Sequence, residues 1–322
     1  MSRRLLPLIL LSATVVWGTA CANDYADISV ASDYSCGIRS DGFLLCWGGN
    51  DVFLGLGTGA PSDVPASVGP AQSIHTSTSL ACAIDVENRG HCWGDSFWVT
   101  EAGERGLPDD LVDEDLTAMA AGNYAACAIH GAEQRLTCFG DTEAYFYESD
   151  RPVEPTEPGP VRTPYDNSYT GVDDVTMGFG ICALIDGDVE CWGGLPSAWA
   201  PAETMPTSTA VAVASSNGQV CKVSDGGDLR CAGYDANFLP ERTTGVTGLF
   251  SGEAAICATY DDDTTECWFV TGNTNAVHDD FPSDVVMRDV STGFDHGCYI
   301  DADGQAGCWG EDRSGETTVP WL

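Results

Sequence analysis

Lysine is all but missing from this chain: Lys222 is the single one, and lysine and arginine together number 13 against 49 aspartates and glutamates, for a formal net charge of −36. That scarcity excludes a general nucleic-acid binder, because each phosphate contact needs a cation to neutralise the backbone. Long apolar runs are missing too. The longest, between Leu5 and Val16, is shorter than the roughly 20 residues of a membrane-spanning helix. Gly-x-Ser-x-Gly, His-Glu-x-x-His and a phosphate-binding glycine loop do not occur, so no familiar hydrolase or nucleotide motif is on offer. No cysteine pair has the Cys-x2-Cys spacing of zinc ligands. What is present, 43% apolar and 9% aromatic residues, can bury a core and separates the chain from disordered acidic sequences.

Arg3 and Arg4, the apolar stretch after them and the small residues Gly18, Thr19 and Ala20 read as a secretory signal over 1–20. Two cleavage readings compete. Gly-Thr-Ala before Cys21 resembles a bacterial lipoprotein box, although Gly18 stands where Leu or Val is usual, while Ala20-Cys21-Ala22 fits ordinary signal cleavage. The cysteine count favours the first: the other fourteen of fifteen pair off and leave Cys21 alone, an odd thiol that a lipid anchor would explain. The expected location is an outer-membrane or cell-surface lipoprotein, with a secreted or periplasmic protein as the alternative and residues 21–26 as a short tether.

The remaining cysteines form seven close pairs: Cys36/Cys46, Cys82/Cys92, Cys127/Cys138, Cys182/Cys191, Cys221/Cys231, Cys257/Cys267 and Cys298/Cys308. Five are ten apart, one eleven and one nine, spacings that suit the two arms of a β-hairpin. If each pair faces directly across the strands, the loop midway has a fixed length and demands its own turn chemistry. For 182/191 the loop is Asp186-Gly187, the Asp-Gly signal of a two-residue type I′ turn. For the pairs ten apart, the third residue of a three-residue loop falls in the left-handed region, and those residues are Gly42, Asn88, Gly227, Asp263 and Gly304, all tolerant of positive φ. For 127/138 the loop is Ala132-Glu133 or, more plausibly, the four residues Gly131 to Gln134. Opposed residues at a non-hydrogen-bonded position lie within disulfide reach, so seven disulfides are expected, one inside each hairpin.

First cysteines recur about every 44 residues, within the range of propeller blades. Five residues before most of them stands a small residue: Ala31, Ser77, Gly122, Ser216, Gly252 and Gly293, with Gly178 displaced by one. Ahead of that an apolar alternation such as Ile28 and Val30, Val172 and Val175, or Val211 and Val213 reads as a strand. After the second cysteine comes an aromatic, Trp47, Trp93, Phe139, Trp192, Trp268 and Trp309, with Ala232 the exception, and then usually a glycine. A Val-Pro segment such as Val64-Pro65 or Val319-Pro320 suits an edge strand. The expected fold is all-β, a seven-bladed β-propeller with four-stranded blades and one disulfide within each blade. Its blades fall near 27–71, 72–115, 116–171, 172–208, 209–245, 246–287 and 288–322.

Ser35-Cys36-Gly37-Ile38, Asp41-Gly42, Cys46-Trp47-Gly48-Gly49-Asn50 and Gly55-Leu56-Gly57 resemble the repeat of the regulator-of-chromosome-condensation family, and the seventh copy, with Gly293, His296, Cys298, Asp303-Gly304 and Cys308-Trp309-Gly310, is similar to it. The resemblance spans about 27–322 and implies a seven-bladed propeller. Copies two to six depart from the pattern after the aromatic, losing the usual Asn and the Gly-Gln-Leu-Gly run. The family's functions include nucleotide exchange on a small GTPase, light reception through clustered tryptophans and inhibition of β-lactamase, and the fold does not choose among them. An exported acidic chain does not suit the nuclear task, and tryptophans repeating after each second cysteine are more simply packed between blades. His296 stands where the family has a structural histidine, expected to hydrogen-bond within its blade.

Acidic runs at Asp109-Asp110, Asp113 to Asp115 and Asp261 to Asp263 lack the spacing of a calcium loop and read as solvating charge. No catalytic, cofactor-binding or metal-ligating residue is assigned. Recognition remains. Five copies place aromatics five to nine residues after the second cysteine: Phe53, Phe97 with Trp98, Tyr145 with Phe146 and Tyr147, Trp199, and Phe238. A repeated offset should bring them to one end of the propeller as a protein-binding rim; alternatively, they pack under their own loops. The expectation is a monomeric module that binds another protein carrying a basic patch, touching no nucleic acid and meeting a membrane only through its anchor. The rival is a hydrolase or lyase for polysaccharide or peptide, with a site in the central channel.

Overall fold

A computed structural model describes residues 24–49, 64, 68–78, 80–94, 107–108, 111–122, 125–140, 169–178, 180–193, 209–216, 219–233, 240–269 and 280–320. They form seven antiparallel sheets, each built from three strands consecutive in sequence. The first strands, Tyr25–Val30, Ala71–Thr76, Leu116–Ala121, Val172–Met177, Ala210–Ser215, Val246–Ser251 and Met287–Thr292, all line one central cavity. They are the inner strands of a seven-bladed propeller. In blade 1 a short turn leads to the middle strand Tyr34–Arg39 and a hairpin to the outer strand Leu44–Gly48. Among the described residues no sheet has a fourth strand. The Val319-Pro320 segment, expected to be an edge strand, lies outside any strand; Val319 is instead buried near Tyr25 and Trp47.

The disulfides are Cys36–Cys46, Cys82–Cys92, Cys127–Cys138, Cys182–Cys191, Cys221–Cys231, Cys257–Cys267 and Cys298–Cys308. Each lies inside its hairpin, with its two cysteines directly opposed in register and their Cα atoms 3.9–4.1 Å apart. In the sequence the two members of a pair look alike; in the fold they are not. The first cysteine of every pair stands on a middle strand, flanked on both sides, and is buried. Among the second cysteines, Cys46 and Cys138 are buried, but Cys92, Cys191, Cys231, Cys267 and Cys308 are only partly so. They stand on outer strands, which have a sheet neighbour on one side only among the described residues. The turn residues behave as their types require. Gly42, Asn88, Gly227, Asp263 and Gly304 all have positive φ, as do Asp186 and Gly187. His130 pairs with Arg135 across the third hairpin, so its loop is the four-residue one, Gly131 to Gln134.

Every inner strand carries a bulge at its second residue, between Tyr25 and Asp27 in blade 1 and at the equivalent place in the other six. The bulge resets the in-and-out phase. Val211 occupies this position and is 54% exposed, while Val213, two residues on, is buried.

The core is divided among the seven seams. Each aromatic that follows a second cysteine packs on the disulfide of the preceding blade. Trp93 sits with Cys36 and Cys46, Phe139 with Cys82 and Cys92, Trp192 with Cys127 and Cys138, Trp268 with Cys221 and Cys231, Trp309 with Cys257 and Cys267, and Trp47 with Cys298 and Cys308. Only Ala232, against Cys182 and Cys191, supplies no ring. The small residue ahead of each first cysteine has a reason as well. A Cβ on Gly293 would fall on the carbonyl oxygen of Ala31, and one on Gly178 on that of Ser216. Adjacent inner strands converge there, and only small residues let their backbones approach.

Candidate functional site

The inner strands enclose a cavity of about 270 Å³. Two polar layers line it. The first comes from the third residue of the inner strands, where Asp27, Asp174 and Asp289 stand in blades 1, 4 and 7. Asp27 accepts from its own neighbour, Ile28 N, at 2.9 Å and from Ile74 N of the next blade at 2.8 Å. Asp174 accepts from Val175 N at 2.8 Å and also from Val213 N, and Asp289 accepts from Val290 N and Ile28 N. These amides lie on the open edge of the inner strands, which have a sheet neighbour on one side only among the described residues, and a carboxylate from the blade before satisfies them. Two residues on, hydroxyls repeat the device. Ser29 Oγ accepts from Thr76 N at 2.9 Å, Ser291 Oγ from Val30 N at 3.0 Å and Thr176 Oγ1 from Ser215 N at 3.2 Å. The tripeptides Asp27-Ile28-Ser29, Asp174-Val175-Thr176 and Asp289-Val290-Ser291 thus clasp blades 1 to 2, 4 to 5 and 7 to 1.

Sequence reasoning passed over these residues because it followed the apolar positions of the alternation. The signal was there: Asp, an apolar residue and Ser or Thr at the same place in three copies of seven. Glu253 was missed altogether. It projects from the turn after the inner strand of blade 6 and crosses the end of the channel. Its carboxylate accepts from Ser32 Oγ of blade 1 at 2.7 Å, and from Thr78 N and Thr78 Oγ1 of blade 2 at 2.9 Å each.

The electrostatics follow from enclosure. Burial pushes Asp174 up to about 6, against the pull of its amide bonds, and Asp289 likewise to about 6. Asp27 lies well above the ordinary carboxylate range, through burial first and the charge of Asp289 second. Burial also raises Glu253. His75, on the wall of the same cavity, is lowered to about 4 by burial and is neutral at pH 7. His296 is also lowered to about 4 by burial. Its Nε2 lies 2.8 Å from Ser35 Oγ, so this histidine bonds to the next blade and not, as expected, within its own.

Two faces differ. Inner strands end, and outer strands finish, at the face that carries Glu253, because Tyr34 pairs with Gly48, Leu80 with Gly94, Ala125 with Gly140 and so on through His296 with Gly310. The tight hairpin turns occupy the opposite face. Phe53, Phe97, Trp98, Tyr145, Phe146, Tyr147, Trp199, Phe238 and Cys21 lie outside the described residues, as does 148–168. Of the acidic runs, Asp261 and Asp262 hold Arg242 at 2.5 and 2.8 Å, and that guanidinium lies 4.2 Å from the centre of the Tyr260 ring. Among the described residues no group of His, Cys, Asp and Glu is arranged to hold a metal ion.

Solved structures share this architecture. The CRINKLY WD40 ectodomain of the Arabidopsis thaliana receptor kinase ACR4 is similar with a TM-score of 0.64 at 16% identity, over 93% of this chain and 100% of that one. Human WBSCR16 gives 0.63 at 13% identity over 87% of each chain. Prp20p from Saccharomyces cerevisiae, described with its binding properties to Gsp1p and histones, gives 0.59 at 14% identity over 90% of this chain and 83% of that one. The likeness shows the fold, an RCC1-like β-propeller, here with a disulfide in every blade. No family model matches the chain, and no curated protein does.

Proposed function

We propose that this chain is an exported, lipid-anchored propeller that binds another protein through the loops of one face. The observation that carries the reading is the common exit of the third strands. All seven outer strands finish at the same face, and the segments that hold Phe53, Phe97, Trp98, Tyr145, Phe146, Tyr147, Trp199 and Phe238 follow those strands in the sequence. Seven disulfides suit an oxidising compartment, and Cys21 is left over for acylation. A net charge of −36 steers the protein toward a basic partner and makes the association salt-sensitive.

The channel argues against the rival, a hydrolase or lyase. His75 does share the cavity with three aspartates, but those carboxyl groups are engaged by backbone amides of the blades they join. The test is a cross-linking capture from the cell envelope with the mature protein, compared with the combined variant Phe97→Ala, Trp98→Ala, Tyr145→Ala and Tyr147→Ala. A specific basic protein should be captured at low salt and lost in the variant. Equal capture by the variant overturns the aromatic rim as the contact surface.

A further inference from the structure

The ring has no covalent closure. Each disulfide stays inside its blade and each sheet is contiguous in sequence, so the first and last blades meet only through non-covalent contacts. Those contacts are backbone and side-chain bonds: Tyr25 N to Gly304 O at 2.8 Å, Trp47 Nε1 to Glu316 O at 2.8 Å, Val30 N to Ser291 Oγ, Ser35 Oγ to His296, and Arg288 to the Tyr25 carbonyl. At the channel side of this seam Asp27 and Asp289 line the same cavity, Asp27 accepts from Ile28 N at 2.9 Å, and the two carboxyl groups share a hydrogen bond. Two carboxylates cannot bond to each other; one must carry a proton and donate it.

We propose that this proton is a structural part of the propeller and makes the closure between blades 7 and 1 a pH-sensitive seam, which loosens as the pH rises. The comparison lies in the same molecule. At the seam of blades 4 and 5 the equivalent clasp is Asp174, bonded to Val175 N and Val213 N; its exposed strand neighbour Asp173 acts on it through charge and not through a hydrogen bond. Losing a proton there adds one charge; at the 7–1 seam it sets two like charges face to face. Other charged groups packed around the pair do not replace the proton. Arg288 donates to the Tyr25 carbonyl and eases Asp289 only in part, His75 on blade 2 is neutral, and Arg39 is paired with Asp41 at 2.7 Å. Asp301 caps its own hairpin through Asp303 N and Gln305 N, and Asp24 belongs to the bridge with Gln305.

The sign follows from linkage. The closed seam holds a proton that the opened, solvated carboxyls release at neutral pH, so closure binds more protons than opening, and opening grows as pH rises, by up to about tenfold per pH unit for one proton. Hydrogen exchange of the intact, disulfide-bonded protein, corrected for intrinsic rates, reads this directly. Between about pH 6 and about pH 8, amides of Tyr25–Val30 and Met287–Thr292 should lose about tenfold or more of their protection relative to Ala210–Ser215. Asp289→Asn supplies a permanent N–H donor to Asp27 and should abolish that extra pH dependence, while Asp174→Asn leaves it unchanged. If Asp289→Asn does not fold, Asp27→Asn poses the same question with Asp289 accepting. Equal pH dependence at the two seams in the unaltered protein, or its survival in the asparagine variant, overturns the proposal.

Discussion

The aromatic after each second cysteine joins a covalent feature to a packing one. Trp93 is 3% exposed and covers the Cys36–Cys46 bridge of the neighbouring blade, so Trp93→Ala removes a large ring from between two sheets. The expected cost is about 3–5 kcal/mol of unfolding free energy, read from the shift in urea midpoint with disulfides intact. Gly293→Ala should be comparably harmful for another reason, since the added methyl meets the Ala31 backbone where no side-chain movement can relieve it. Both positions were legible in the sequence as repeats. Their roles were legible to different degrees: the tryptophans were read as packing between blades, whereas the partner of each small residue appears only when the ring closes. His296 shows the same limit, because its partner Ser35 lies 261 residues away.

In the hairpin, sequence and structure agree most closely, and the reason is locality. A pair of cysteines, a turn residue able to hold positive φ and the spacing between them are enough to fix register, and each of the seven turns follows its chemistry. What the spacing does not carry is the unequal cover of the two sulfurs, since every first cysteine is buried on a middle strand whereas Cys92, Cys191 and Cys231, on outer strands, are only partly so. The inner strands were harder. Their alternation marks them as strands, but their shared bulge puts Val211 outside while Val213 is buried, and their polar residues act on the next blade, at distances no local pattern reports. Deleting one bridge tests how far each hairpin stands alone. Cys257→Ser with Cys267→Ser opens the disulfide on which Trp309 rests and should cost roughly 2–3 kcal/mol. The loss should show as a lower midpoint in denaturant, with exchange rising first in blades 6 and 7. An effect spread evenly over the ring would mean that blades do not loosen separately.

For the propeller taken together, stability should depend on pH with a definite shape. Asp174, Asp289, Asp27 and Glu253 have folded pKa values above their unfolded ones. The native state therefore binds more protons than the unfolded chain, and stability falls as pH rises through those values. His75 and His296, lowered to about 4, act in the opposite sense, and their contribution is lost as pH falls from about 6.5 toward 4. The two trends oppose each other in mild acid, whereas above about 6.5 only the carboxylates still change. Thermal midpoints should therefore decline as pH rises from mild acid through about 6, where Asp174 and Asp289 titrate, a trend that the self-repulsion of 49 acidic side chains reinforces. A midpoint rising between neutral and mildly alkaline pH would contradict the assignment of these carboxyls as enclosed.

Because every sulfur bridge begins and ends inside one hairpin, the covalent map is a string of seven small knots rather than a net. A protease that cuts once in a segment joining two blades would leave a molecule of unchanged outline in native buffer. The same nicked molecule would part into two fragments in urea without any reductant, and on dilution the halves could find each other again with all seven bridges already correctly made.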